Sequence, residues 1–404
     1  GGGPLRVELE LDGHRLLVQV WRAEVGRLPL FLLDTNLPEN PADLRDITDQ
    51  LYGGDTENRI RQELVLGVGG LRALHAMNLR PVVCHMNEGH SAFLSLERIR
   101  LLMKDQGLGY AAAREAARAG NVSTSHTPVP AGFDVFTAAL VEKYLGPHQR
   151  ELGISRDDLL ALGAENHNGP TTGFNMAGLA LRNAAFVNGV SRLHGEVSRG
   201  LLRKYLPDVP VDEMPVGHVT NGAHTRSCVS REMAGLFDRY LGPDWWRQPA
   251  RAETWEGIDA IPDEELWATH ERRRERLVAF ARRRLVRQLT ARGAAQRDIE
   301  RARGVLATGA LTIGFARRFA TYKRANLILA SVERLKHILF NADRPVQIIF
   351  AGKAHPHDNE GKEVLKAIVQ FCLGDEMRRS AVFIEDYDLV VARYLVQGVD
   401  LWLN

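Results

Sequence analysis

Residues 311–356 carry the pattern that most constrains this chain: an apolar run, a turn studded with cations, a helical stretch, and then the same sequence of features again. Leu311-Thr-Ile-Gly-Phe315 has the length and character of a buried strand. Arg317, Arg318, Lys323 and Arg324 follow it, and from Tyr322 the spacing of Ala325, Leu327, Ile328 and Leu329 predicts a helix over 322–339. A second run, Val346 to Phe350, leads into Ala351-Gly-Lys-Ala-His-Pro356. Strands that alternate with helices specify βαβ units and a mostly parallel sheet. In such sheets ligands bind outside the carboxyl ends of the strands, where helix N-termini favour anions. An isolated charge run is more often a solvated turn. Cations at two consecutive strand ends instead predict an anionic ligand, most simply a phosphate.

The same rhythm runs through the rest of the chain. Alternating apolar and charged residues over 5–11, then Asp12-Gly13, then 16–21 predict a hairpin. Residues 30–33 read as a short strand and 59–77 as helical. A buried strand over 80–87 delivers Asn87, Glu88 and His90 at its end, helices follow over 91–104 and 111–119, and a strand over 121–125 delivers His126. Residues 175–205 read as two helices broken at Asn188-Gly189. A long basic helix is expected over 263–292, its arginines on a solvated face interleaved with Glu271 and Glu275. Past Gly304 the strands are expected at 311–315, 346–350, 381–384 and 399–403, with helices between them.

Composition narrows the function classes. A chain of 404 residues exceeds what one core serves, so two domains are expected. A net charge of +2 predicts no general affinity for nucleic acid or acidic membranes, and the basic helix lacks the aromatic residues that would stack bases. Cys84, Cys228 and Cys372 make no Cys-x-x-Cys pair, which points to a reducing, cytoplasmic setting without disulfides. His85, Glu88 and His90 do not have the His-Glu-x-x-His spacing, so no metal is expected there.

Ala316-Arg-Arg-Phe-Ala-Thr-Tyr-Lys-Arg324 with Ala351-Gly-Lys-Ala-His-Pro356 resembles the phosphate-binding region of the α-glucan (glycogen, starch and maltodextrin) phosphorylases. His85-Met-Asn-Glu-Gly-His-Ser-Ala-Phe93, Thr124-Ser-His-Thr-Pro-Val-Pro130, Val187-Asn-Gly-Val190 and Thr220-Asn-Gly222 resemble the same family, in the family's order and almost end to end. The resemblance implies an α/β fold of two Rossmann-like, doubly wound domains facing across a cleft, a GT-B-type architecture. A glucan-binding domain is expected over 1–187, and a phosphate and cofactor domain, truncated, over 188–404. It also implies phosphorolysis of α-1,4-glucans by inorganic phosphate, with release of α-glucose 1-phosphate, and a homo-oligomer for the full-length form.

Site residues follow from the same resemblance. Arg318 and Lys323 are expected to bind the attacking phosphate. Arg317 and Tyr387 are expected beside pyridoxal phosphate. His126 is expected to aim its main-chain carbonyl at the developing oxocarbenium charge. Glu88, His90 and Asn188 are expected to hydrogen-bond the sugar, and Tyr52 and Asp55 to belong to a loop that gates the cleft. Ala320 stands where the animal enzymes carry histidine, which points to the smaller bacterial and archaeal branch. The chain opens without Met and stops within a strand, so it reads as an internal piece of a longer protein. The family's cofactor lysine is expected beyond Asn404, and the piece is expected to be inactive alone. Two rival readings are a nucleotide-sugar-dependent glycosyltransferase resembling glycogen synthase and a glucan-binding relic without turnover. The motifs around His85 and Thr124 favour phosphorylase over the first, and the retained cations argue against the second.

Overall fold

The structure, a computed structural model, describes residues 3–50, 54–127, 129, 132–165, 173–356 and 358–403. The chain forms two compact units, Gly1–Gly222 and Ala223–Asn404.

The first unit begins with β1 (Arg6–Leu11), β2 (His14–Val25) and β3 (Leu28–Asp34), an antiparallel sheet in that order. The expected hairpin is present: Leu11 pairs with His14, and Asp12 and Gly13 both have positive φ, 52° and 74°. That is what a two-residue turn between right-twisted strands requires. Then come β4 (Cys84–Asn87), β5 (Asn121–Ser125), β6 (Val135–Phe136), β7 (Phe174–Asn175), β8 (Phe186–Gly189) and β9 (Val216–His218). β4, β5, β8 and β9 lie side by side in that order, all parallel, while β6 and β7 pair as a short antiparallel ribbon. The register sets Asn87 opposite Thr124 and Thr124 opposite Asn188, so the carboxyl ends of three strands form one polar row.

The core of this unit gathers Leu9, Leu16, Ile60, Met86, Phe93, Leu96, Phe136, Tyr144 and Phe174. Two carboxylates, Glu63 and Glu97, are buried in this unit. Glu97 is fully buried, with Arg72 Nε 2.9 Å from Oε1, Arg100 Nη2 2.7 Å from Oε1 and His148 Nε2 3.2 Å from Oε2. Burial alone would push its pKa up. Hydrogen bonds from Arg100, His148 and Arg72 outweigh that and hold the carboxyl far below its usual range.

The second unit shows why its strands read as continuous apolar runs. β10 (Leu311–Ala316), β11 (Val346–Ala351), β12 (Ala381–Ile384) and β13 (Leu401–Trp402) form a parallel sheet in the order β12-β11-β10-β13. Alternate residues of one strand enter different cores. Ile348 and Phe350 pack with Phe315, Phe319, Leu335, Val364 and Ile368, whereas Ile349 and Ala351 pack with Leu277, Ala281, Leu285, Val391 and Leu395. Helices therefore cover both faces, and both parities must be apolar. The order runs outward from β10 to β12 and then restarts on the other side of β10 with β13. The carboxyl end of β10 thus lies at a topological switch point, where open α/β sheets leave a crevice.

Four expectations change. Asn188 and Gly189 lie in β8, a strand paired on both sides, and do not break a helix; the flanking helices are Met176–Arg182 and Arg192–Leu202. The expected division between residues 187 and 188 therefore falls inside a strand, and the units part after Gly222. The helix expected from Tyr322 starts only at Val332, because Arg324 takes a left-handed conformation (φ 51°) and Ala325–Ser331 winds as 3₁₀ turns. The basic helix, Asp263–Ala291, is only partly solvated. Arg273 and Arg274 are buried, Arg274 Nε donates to Thr308 O at 2.7 Å, and Arg282 donates to Val305 O and Leu306 O at 2.8 Å each.

Glu97→Ala leaves two mostly buried guanidinium groups facing a cavity. Urea unfolding of the variant should show a loss of roughly 3–5 kcal/mol. A loss below about 1 kcal/mol, as for a surface pair, would show that the buried cluster does not anchor this unit.

Candidate functional site

In the first unit the strand ends place two expected site residues, Glu88 and His126, in one hydrogen-bonded group with Asn87 and Thr127. Glu88 follows β4 directly, and its N–H donates to Thr124 O at 2.8 Å. Its backbone has φ 60° and ψ −174°, a region that glycine alone enters freely, at an energetic cost of order 1–3 kcal/mol for other residues. The carboxylate oxygen Oε1 accepts from the His126 N–H and from Thr127 Oγ1, the latter at 3.2 Å. The His126 ring is exposed, and its Nε2 donates to Asn87 Oδ1 at 2.9 Å.

Beside this group lies a relay that sequence reading missed. His85 Nε2 sits 2.6 Å from Thr124 Oγ1, which donates to Asn188 Oδ1 at 3.1 Å. With its oxygen engaged, Asn188 presents its NH₂ group as the donor end, one N–H of which reaches Gly189 O at 3.3 Å. The relay crosses three adjacent strands, and only the register of β4, β5 and β8 brings its members together. Within the sequence, Thr124 looked like any β-branched strand residue.

His90 is half-buried behind this row. Burial, then the nearby Arg59, hold its imidazole below the usual pKa, with Asp134 acting in the opposite sense. Arg59 Nη2 lies 3.0 Å from Asp134 Oδ2, and Arg59 Nε lies 3.2 Å from Glu63 Oε1. Glu63 is 1% exposed, and neither of its oxygens makes a well-aligned hydrogen bond among the described residues. Burial and the neighbouring Asp134 raise its pKa well above the ordinary value, against the pull of Arg59. Asp55 caps the helix Thr56–Leu64 by accepting from Asn58 N at 2.8 Å. Tyr52 lies outside the described residues.

In the second unit Arg317 and Arg318 leave the end of β10, and Lys353 leaves the end of β11. The two turns are zipped together: Phe319 N donates to Lys353 O at 2.9 Å, Phe319 bridges Ala354, and the Phe319 ring is fully buried between the layers. Gly352 makes the approach possible. Its φ is +145°, and a Cβ there would lie 2.1 Å from Arg317 O. Lys323 is half-buried. Burial, then the charges of Arg317 and Arg318, push its amine below the usual pKa, and no acidic group is among those acting on it. Among the described residues no carboxylate pairs with Arg317, Arg318 or Lys323. Tyr387, following β12, is half-buried against the helical layer that contains Leu277 and Val391. No group of three His, Cys, Asp or Glu among the described residues could hold a metal ion, and no helix among them is long and apolar enough to cross a membrane.

Fold and site together define an α/β protein that collects hydrogen-bonding side chains at the strand ends of one parallel sheet and a cluster of cations at those of another. The chain belongs to the carbohydrate phosphorylase family, whose model matches residues 71–402. It is 41% identical over 403 residues to the maltodextrin phosphorylase of Thermococcus litoralis, covering 100% of this chain and 47% of that protein. It is 40% identical over 415 aligned positions to the glycogen phosphorylase of Mycobacterium tuberculosis, again covering 100% and 47%. It is also 39% identical over 401 residues to the glycogen phosphorylase of Aquifex aeolicus, covering 99% and 57%. The chain thus spans about half the length of the curated relatives it matches.

Glu63 supplies a pH test. Its folded pKa lies above the unfolded value of about 4.3, so between the two the folded chain keeps a proton that the unfolded chain releases. This group's contribution to stability therefore falls as pH rises through that window and is flat beyond it. Glu63→Gln keeps the neutral shape without the titration, so the stability of the variant relative to the native chain should climb as pH rises above about 4.3. Parallel stability curves would show that Glu63 is ionised in the fold.

Proposed function

We propose that the protein is an α-glucan phosphorylase, in which inorganic phosphate attacks the terminal glucosyl unit of an α-1,4-glucan. The C1–O bond to the next sugar breaks and the glycosidic oxygen takes a proton from the attacking hydrogen phosphate. C1 then bonds to a phosphate oxygen with retained configuration, giving α-glucose 1-phosphate and a chain one unit shorter. The observation that carries this reading is the cationic end of β10, where among the described residues no carboxylate pairs with Arg317, Arg318 or Lys323, and Lys323 is desolvated beside the two arginines. Repulsion of this kind is relieved by a bound polyanion, and a planar Arg fork with a Lys point charge suits a phosphate.

In this reading Arg318 and Lys323 hold the attacking phosphate. The His126 main-chain carbonyl faces the positive charge that develops at C1, where a fixed dipole stabilises a transition state without reorganising. The NH₂ group of Asn188 and the His90 ring bind sugar hydroxyls. Pyridoxal phosphate is the cofactor that the family implies. Cations without a neutralising acid fit its phosphate group, and a half-buried tyrosine fits the flank of a ring, so Arg317 and Tyr387 are the residues of this chain that would hold it. When bound, it supplies acid–base support to the neighbouring substrate phosphate.

Calorimetric titration of the chain with orthophosphate should show binding that Arg318→Ala and Lys323→Ala each weaken tenfold or more. Arg283→Ala, on the exposed side of the basic helix, should change nothing. Equal binding by all four proteins would overturn the phosphate assignment. For the whole protein, maltodextrin and phosphate should yield glucose 1-phosphate. Transfer that occurs only with a nucleotide sugar would instead favour the synthase-like reading.

A further inference from the structure

We infer that Glu88 is a positioning residue: its carboxylate clamps residues 126 and 127 and so sets the direction of the His126 carbonyl, and it does not itself bind the sugar. The significance given to that carbonyl rests on the phosphorylase reading; the clamp itself does not.

Three observations converge. The first is where the carboxylate goes. Oε1 takes the N–H of His126 and the hydroxyl of Thr127, one bond on each side of the His126 carbonyl. A peptide unit held at the residue before it and at the side chain after it has little freedom to rotate. The second is the backbone at Glu88. With φ 60° and ψ −174°, the position suits glycine, yet it carries a long acidic side chain. That conformation turns the side chain away from the line of β4 and toward the end of β5. A residue that only lined a pocket would have no reason to sit on such a backbone. The third is that the strained turn is fixed at both ends. Glu88 N is bonded to Thr124 O at 2.8 Å, and a Cβ on Gly89 would lie 2.8 Å from Met176 Cβ, so the turn cannot slide. Asn87, one residue earlier, holds the His126 ring through Oδ1 at 2.9 Å. Successive residues of one turn thus hold the ring and the main chain of the same histidine.

A clamp needs an acceptor oxygen and not a charge, which separates it from direct electrostatic contact with the sugar. Glu88→Gln keeps an oxygen that can accept both bonds, Glu88→Ala removes it, and Glu88→Gly removes it while relieving the backbone. In chain labelled with ¹⁵N-histidine, the His126 amide should resonate far downfield in the native protein. It should stay within a few tenths of a ppm in E88Q and move upfield by a ppm or more in E88A and E88G. E88G should unfold at a higher urea concentration than E88A, because only glycine suits the turn. Titration with maltoheptaose gives the second arm. E88A and E88Q should each keep the affinity within about threefold, because the carboxylate does not touch the sugar and the carbonyl acts on charge that develops only in the transition state.

An amide that does not move in E88A would overturn the clamp, and a tenfold loss of glucan affinity in E88A would overturn the inference by showing that the carboxylate binds the sugar directly. If the native chain binds no maltoheptaose at all, the glucan reading fails, and the amide shifts still decide the clamp.

Discussion

Like charges crowd the carboxyl end of β10, and that crowding is what the second unit is arranged to sustain. Arg317, Arg318 and Lys323 sit at the point where the strand order reverses, with burial and mutual repulsion both acting against the protonated amine of Lys323. Such an arrangement persists only because the surrounding layers over-determine it. Phe319 is driven fully into the core between two of the cations, and the backbone of the next turn is zipped to it through Lys353 O. Gly352 lets the two turns approach to a distance that any side chain would block. The packing energy of an apolar ring thus holds a polar loop in a conformation that its own charges oppose.

The first unit solves a different problem by similar means. Its parallel sheet aligns three strand ends, and the side chains there satisfy one another across strands: Asn87 with His126, Glu88 with His126 and Thr127, and Thr124 with both His85 and Asn188. Each bond fixes an orientation that would otherwise be free, and the amide of Asn188 is the plainest case. Behind the row, Glu63 and the Arg59–Asp134 pair form a polar layer beside His90. Polar groups at this depth stabilise little on their own, but they restrict the row to one arrangement.

Much of this was legible in the sequence, and the boundary of what was legible has physical causes. Strands buried on both faces announce themselves as apolar runs, so β10, β11 and β12 were found almost to the residue, together with the cations at their ends. β8 was missed because four residues, Phe186-Val-Asn-Gly189, are too few to show a period, and Asn-Gly looks like a break wherever it occurs. The helix expected from Tyr322 was delayed by Arg324, whose left-handed backbone no local propensity foretells. Reading the arginines of the long helix as solvated overlooked a property of arginine: its donors can satisfy carbonyls at the ends of loops, as Arg274 and Arg282 do. The side-chain relay through Thr124 was invisible for a more general reason. It depends on register between strands about 39 and 64 residues apart in sequence, and nothing local encodes that pairing.

The decisive measurement is where an oxyanion settles at the end of β10. Arsenate has the shape and charge of phosphate and scatters anomalously, so crystals of the chain soaked in it report the position directly. The anomalous difference map should place arsenic between the Arg318 guanidinium and the Lys323 amine. Arsenic bound elsewhere on the molecule, with that position empty, would contradict the account.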